Sequence, residues 1–253
     1  MKKSAASLLF VGLLASALVA GVAARASADS FFRQLRVDSL IGEGINLYHR
    51  GDYSGSIAKL DEALSLAPED IKARYDRALD LYALGKYSDA ADQFRACLKQ
   101  QPDFVPALFN LGVTDLALGD VPGAKTIFSE IISDHPNSVR AHFDLGLSHY
   151  LEGRVDQAAK DFAVAALLHP QYSQAHYDRA LAEYRTGNLV AADSESLEAI
   201  KLNSTYAKAF FLRGAIRLRQ GNESQAKGLF ESAQRFSSDP VLKSLCRQII
   251  DQL

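Results

Sequence analysis

Stepping 34 residues at a time from Gly51 lands on Gly85, Gly119, Gly153, Gly187 and Gly221, so six of the sixteen glycines fall on one comb. Nothing else in the chain restricts its fold as strongly. The stretch Ala141–Pro170 shows what repeats between the teeth: Phe143, Leu147, Tyr150 and Leu151 recur at helical spacing, and Gly153 breaks the run. Val155, Ala158, Phe162, Ala165 and Ala166 then begin a second amphipathic run that ends at Pro170. One helical hairpin of this size cannot bury its own apolar faces. A fixed period of this length therefore implies an array in which each hairpin covers its neighbour.

The repeats run 37–70, 71–104, 105–138, 139–172, 173–206 and 207–240 without insertion. Small residues recur at the eighth place (Gly44, Ala78, Gly112, Gly146, Ala180, Gly214), alanine at the twentieth (Ala90, Ala124, Ala158, Ala192, Ala226) and an aromatic at the twenty-fourth (Phe94, Phe128, Phe162, Phe230). Proline closes four units at Pro68, Pro102, Pro136 and Pro170. This pattern resembles the tetratricopeptide repeat family, which implies an all-α, right-handed α-solenoid of six tandem helical hairpins. Departures cluster late. Ser196 replaces the aromatic, and Ser204 and Ser238 replace proline, so looser packing or a shifted hairpin is expected in the last two repeats.

Both ends carry additional segments. Residues 1–28 hold Lys2 and Lys3, an uncharged run over 4–24 and the small residues Ala26, Ser27 and Ala28 before Asp29, the layout of a cleavable export signal. That predicts a periplasmic or secreted protein; an uncleaved segment 4–24 would anchor it in a membrane instead. Residues 29–36 place Phe31, Phe32 and Leu35 on one face and read as an N-terminal cap that extends the first repeat helix backwards. Residues 241–253, with Val241, Leu242, Leu245, Ile249, Ile250 and Leu253, read as a C-terminal capping helix. Cleavage of the leader would remove Lys2, Lys3 and Arg25 from the 28 basic residues, leaving 25 against 30 acidic. A mildly acidic chain without a basic tract gives nucleic acid no purchase.

Reactive chemistry is poorly represented. Cys97 and Cys246 lie many repeats apart in an array where each unit touches only its neighbours, too far for a disulfide. His142, His149 and His176 occupy related repeat positions and constitute the one alternative reading, a metal- or ligand-binding solenoid, although no Glu or Cys joins them at ligand spacing. No phosphate loop, nucleophile elbow or HExxH is present. An enzyme is not expected, nor is a cofactor.

The family resemblance implies that the first helix of each repeat lines a concave groove through positions that include 5, 6, 9, 12 and 13. Position 5 reads Ile41, Tyr75, Phe109, Phe143, Tyr177 and Phe211, and position 12 reads Tyr48, Tyr82, Leu116, Tyr150, Tyr184 and Leu218. About half of these rings are assigned to packing between and within repeats. Position 6 adds a ladder of Asp76, Asn110, Asp144 and Asp178, and Arg185 and Arg219 follow at position 13. Family members use such a ladder to hold the backbone of an extended peptide. The lysine–asparagine clamp for a free C-terminus is missing, since Ile41 and Ile45 stand where it would begin. The expected partner is a protein or peptide segment lying across repeats two to five, in an envelope assembly.

Overall fold

The computed structural model describes Ser27 and residues 29–253, and every regular element among them is an α-helix. The expected leader lies outside the described residues apart from Ser27. Helix α1 covers residues 29–49. It is followed by α2 (Tyr53–Leu66), α3 (Ile71–Ala83), α4 (Tyr87–Gln100), α5 (Val105–Leu118), α6 (Val121–Asp134) and α7 (Val139–Leu151). The remainder comprises α8 (Val155–Leu168), α9 (Ser173–Thr186), α10 (Leu189–Leu202), α11 (Ala207–Arg219), α12 (Glu223–Phe236) and α13 (Pro240–Ile250). No helix among the described residues is long and apolar enough to cross a membrane. The chain divides into two compact units, one ending at Ala107 and the other running from Leu108 to Leu253.

The glycine comb has a direct backbone cause. All six glycines take φ between 74° and 87°, the left-handed region in which a Cβ is strained. Beyond each one the chain closes the first helix by sending an N–H back to a carbonyl five residues earlier. Asp52 N–H reaches Leu47 O at 3.0 Å, Arg154 N–H reaches His149 O at 2.9 Å and Asn222 N–H reaches Arg217 O at 2.9 Å. The opposite ends are held by side chains: Asp70 Oδ1 accepts from Ala73 N–H at 2.8 Å and Asp120 Oδ1 from Gly123 N–H at 3.0 Å. The 34-residue period is thus a period of helix stops and starts written in glycine and short polar residues.

Small and large residues then interlock between the two helices of a pair. A Cβ on Gly146 would lie 2.9 Å from the ring of Phe162, and one on Gly214 would lie 2.9 Å from Phe230. The close approach buries both rings, each 1% exposed. Burying a phenylalanine is worth about 1.5–3 kcal/mol, so these rings supply much of each hairpin's cohesion. In the first unit Phe94 takes the same place against Tyr75, with ring centroids 5.8 Å apart.

The small residues of the last two repeats are buried as fully as Ala90, Ala124 and Ala158 before them. Ala192, Ser196 and Ala199 are fully buried, as are Ala226 and Ala233. The smaller Ser196 satisfies itself by donating to Asp193 O at 2.9 Å. Where proline is missing, polar turns do its work: Asn203 Oδ1 accepts from Thr205 N–H at 3.1 Å, and Ser237 Oγ accepts from Asp239 N–H at 3.0 Å.

The chain ends behave unlike one another. Residues 29–36 do prolong α1, but Phe31, Phe32 and Leu35 remain exposed, and burial begins only at Val37, Leu40 and Ile41. Helix α13 packs on α12 and buries Cys246 completely, while Val241 and Leu245 on its other side stay exposed. Cys97 and Cys246 are both buried free thiols.

Candidate functional site

The rings at position 5 turn into the packing. In the second unit Phe109 and Phe143 are buried, set against Phe128 at 5.6 Å and Phe162 at 5.4 Å. Phe211 meets Phe230 at 5.3 Å. Tyr177 has no aromatic at position 24 to meet, because Ser196 stands there, and instead packs on Tyr206 at 5.0 Å. Tyr75 of the first unit lies between Phe94 and Phe104.

Position 12 presents its rings differently. Tyr150 and Tyr184 are half-buried, and each carries an arginine from the following repeat over its face: Arg185 at 4.9 Å from the Tyr150 centroid and Arg219 at 4.9 Å from Tyr184. Arg219 also donates to Tyr184 O at 3.3 Å. Both guanidinium side chains are exposed. An aromatic capped by a cation offers a flat surface with donors at its rim. In the first unit Tyr82 meets Tyr87 in a tilted pair, with ring centroids 5.1 Å apart.

On the same helices, α7 and α9, the position-6 carboxylates Asp144 and Asp178 are partly withdrawn from water. Burial pushes Asp144 and Asp178 up to about 6; Arg140 opposes the shift at Asp144, and a Gln174 hydrogen bond with the charge of Lys208 opposes it at Asp178. Arg140 is shared, since its guanidinium lies 4.1 Å over the Phe109 ring. Burial together with the Asp178 charge holds the Tyr177 hydroxyl up to about 12 and raises that of Tyr206. The Tyr172 hydroxyl is raised as well, by burial and by both carboxylates. Two acids and three phenols of the second unit thus sit close enough to feel one another. Asn110, the remaining member of the ladder in this unit, accepts through its carbonyl the Thr114 hydroxyl at 2.6 Å. Asp76 of the first unit is likewise pushed up to about 6 by burial, against the pull of Lys72.

Tyr172 and Tyr206 were not among the residues singled out in the sequence, although with Phe104 they recur at position 34 of repeats two, four and five. Each packs at an angle against the position-5 ring of its own repeat, as Tyr172 does against Phe143 at 5.1 Å. That recurrence was the available signal. Asp80, at position 10, was also passed over.

The histidines do not converge. His149 Nδ1 lies 2.7 Å from Asp161 Oδ2, and His176 Nδ1 lies 2.7 Å from Glu195 Oε2. His142 Nε2 faces Pro136 O at 2.9 Å, and His176 Nε2 faces Pro170 O at 3.1 Å. Each imidazole is tied to a group within or next to its own repeat, and among the described residues no three His, Cys, Asp or Glu side chains are placed to hold a metal ion.

Two family models described as tetratricopeptide repeat match residues 81–145 and 139–159. Solved structures share the architecture. One described as a functional characterisation of Pseudomonas aeruginosa pilF is 17% identical, with a TM-score of 0.73, over 85% of this chain and 98% of that one. PilW, described as a widely conserved type IV pilus biogenesis factor, is 20% identical, with a TM-score of 0.73, over 83% and 97%. MamA is 20% identical, with a TM-score of 0.59, over 63% and 93%. At these identities the likeness is one of fold. No curated protein sequence matches the chain.

Proposed function

This chain is a tetratricopeptide-repeat protein, and from that premise we propose that it is an exported, non-catalytic scaffold that binds a segment of a partner protein in assembly of an envelope complex. The segment rests on the second unit, against Tyr150, Tyr184 and their arginines. The observation that carries the reading is the pair Asp144 and Asp178: partly desolvated carboxylates on the same helices as the half-buried Tyr150 and Tyr184 are ready acceptors for backbone N–H groups or basic side chains. Aromatic anchors next to charge-assisted acceptors match the way helical repeats hold extended peptides. Likeness of fold to a pilus biogenesis factor is consistent with work at the envelope, and the leader of residues 1–28 is consistent with export.

The test has two parts. A photo-crosslinking residue at Tyr150 in the living cell identifies the partner, and the affinity of that partner is then measured for Asp144→Ala/Asp178→Ala and for Tyr150→Ala. A loss of tenfold or more is expected for each, beyond what any change in melting temperature explains, since Tyr150→Ala also gives up core packing and the Arg185 contact. Unchanged affinity in both variants overturns the site, and a mature protein that still begins at Met1 in the membrane fraction overturns soluble export.

A further inference from the structure

A cavity of about 210 Å³ in the first unit is lined by Ile45, Tyr48, His49, Ser56, Asp76, Leu79 and Asp80. It lies between the second half of α1, the start of α2 and the middle of α3. Asp80 is fully buried, and neither of its carboxylate oxygens has a hydrogen-bond partner. Ser56 is 1% exposed, and its hydroxyl sits near enough to Asp80 to favour the charged carboxylate but closes no hydrogen bond of good geometry; one oxygen of Asp76, one helical turn before Asp80, also closes none. Four polar atoms in one cavity therefore close no such bond within the chain. Leaving buried polar groups unmet costs about 1–3 kcal/mol apiece, and more for a charge, so the cavity is an acceptor set that a matching donor would stabilise.

The repeat pattern isolates Asp80 further. Position 10 is buried in the next four repeats as Thr114, Ser148, Ala182 and Ile216. The two hydroxyls there discharge their polarity locally, Thr114 to Asn110 O at 2.6 Å and Ser148 to Asp144 O at 2.8 Å. An ionised carboxylate has no proton to give to a carbonyl, so Asp80 cannot follow them.

We propose that this cavity binds a single guanidinium group, an arginine side chain or a small molecule bearing the same head. Two carboxylates at i and i+4 together with a hydroxyl suit a planar fork of five N–H donors better than the compact head of an ammonium ion. The walls supplied by Ile45, Leu79 and the Tyr48 ring match the methylene stem behind that head. His49 is exposed and Tyr48 half-buried at the cavity, which leaves a way in from solvent. A metal ion is the poorer occupant, because no three ligating side chains are placed for one among the described residues. Every lining residue belongs to the first unit, so the site stands whether or not the second unit holds a peptide.

The experiment is a titration of the full chain by NMR with N-acetyl-arginine amide, free arginine, and N-acetyl-citrulline amide, the uncharged counterpart of the first. Saturable binding of either arginine form is expected, with N-acetyl-citrulline amide at least about tenfold weaker, since a charge-assisted contact is lost. Asp80→Asn and Asp76→Asn should each weaken the arginine probe by about tenfold or more while the fold is retained, as checked by circular dichroism and melting temperature. Ser56→Ala should weaken it less. Tighter binding of the capped form assigns the site to an arginine on a polypeptide; tighter binding of free arginine assigns it to a small molecule. The proposal is overturned if neither arginine form saturates at millimolar concentration, if citrulline binds as well, or if Asp80→Asn binds unchanged.

Discussion

Position 10 of the repeat separates the two units. In the second unit Thr114 and Ser148 are buried hydroxyls that donate to the carbonyl one turn back, and Ala182 and Ile216 avoid the problem by being apolar. In the first unit Asp80 fills the same buried place with a carboxylate whose polar neighbour is the Ser56 hydroxyl, with no hydrogen bond of good geometry closed between them, and both open on the same cavity. Burial pushes Asp80 up to about 6, with Asp76 adding to the shift and Ser56 opposing it. One fold position can thus be tuned from silent packing to a strained acceptor by a change of side chain, without any change in backbone.

The strongest way to break this comparison is to move the charge. Ser148→Asp would place in the second unit what Asp80 is in the first, with the carboxylate fully buried one helical turn from Asp144. A buried, unpaired charge costs about 3–5 kcal/mol. At about 2–4 °C per kcal/mol for a chain of this size, the melting temperature should fall by roughly 6–20 °C. A fall smaller than 2 °C in a thermal melt would show that position 10 tolerates charge anywhere and that Asp80 is unremarkable.

The reverse exchange should act with the opposite sign. Asp80→Asn keeps the shape and removes the charge, so the melting temperature should rise by about 2–8 °C, the effect of about 1–2 kcal/mol. A decrease would mean that Asp80 holds the fold together, and its role in the cavity would then need another explanation.

Titration sharpens the same contrast on the unaltered chain. Asp76, Asp80, Asp144 and Asp178 are each raised to about 6 from an ordinary value of 3.8. Below pH 3.8 they are protonated whether folded or unfolded; between 3.8 and 6 the folded state holds the extra protons. Stability from these groups is therefore full below the lower value and is lost as pH rises through about 6. Melting at pH 5 should exceed melting at pH 7, and the Asp76→Asn/Asp80→Asn double variant should show a smaller difference. Glu43, Glu152 and Glu198 are lowered by lysine partners and act the other way, but only below 4.5, so the window above pH 5 is free of them.

How much of this was readable beforehand depends on whether a residue repeats. The glycine comb predicted the helix stops because left-handed backbone demands the same residue in every unit, and the small–aromatic alternation predicted the Gly146–Phe162 and Gly214–Phe230 contacts for the same reason. Position 5 was ambiguous, since a ring at that place serves packing or display according to whether position 24 meets it, and Phe128 and Phe162 do. Asp80 was hidden by being a single departure in a column whose burial only the structure reveals. Residues 29–36 prolong α1 as their apolar stripe suggests, but a stripe identifies a face and not its neighbour, and Phe31 and Phe32 stay exposed. Stacking of Arg185 on Tyr150 joins residues 35 apart in adjacent repeats, a pairing that neither residue type announces.

That stacking provides the smallest effect, and the one that separates display from cohesion in the second unit. Arg185 lies over a ring that is already half-buried, and its own side chain is exposed, so the contact is worth about 0.5–1 kcal/mol. Arg185→Ala should lower the melting temperature by only about 1–4 °C. Arg219→Ala should cost somewhat more, because Arg219 adds a hydrogen bond to Tyr184 O at 3.3 Å. If the proposed partner lies on this face, Arg185→Ala should weaken its binding well beyond what so small a loss of stability explains, and Arg185→Lys, which keeps the charge but loses the planar stack, should restore only part of it. Equal loss of affinity and stability would reduce the arginine to a packing residue. Full rescue by lysine would show that the charge alone matters and that the Tyr150 face is not what the partner reads.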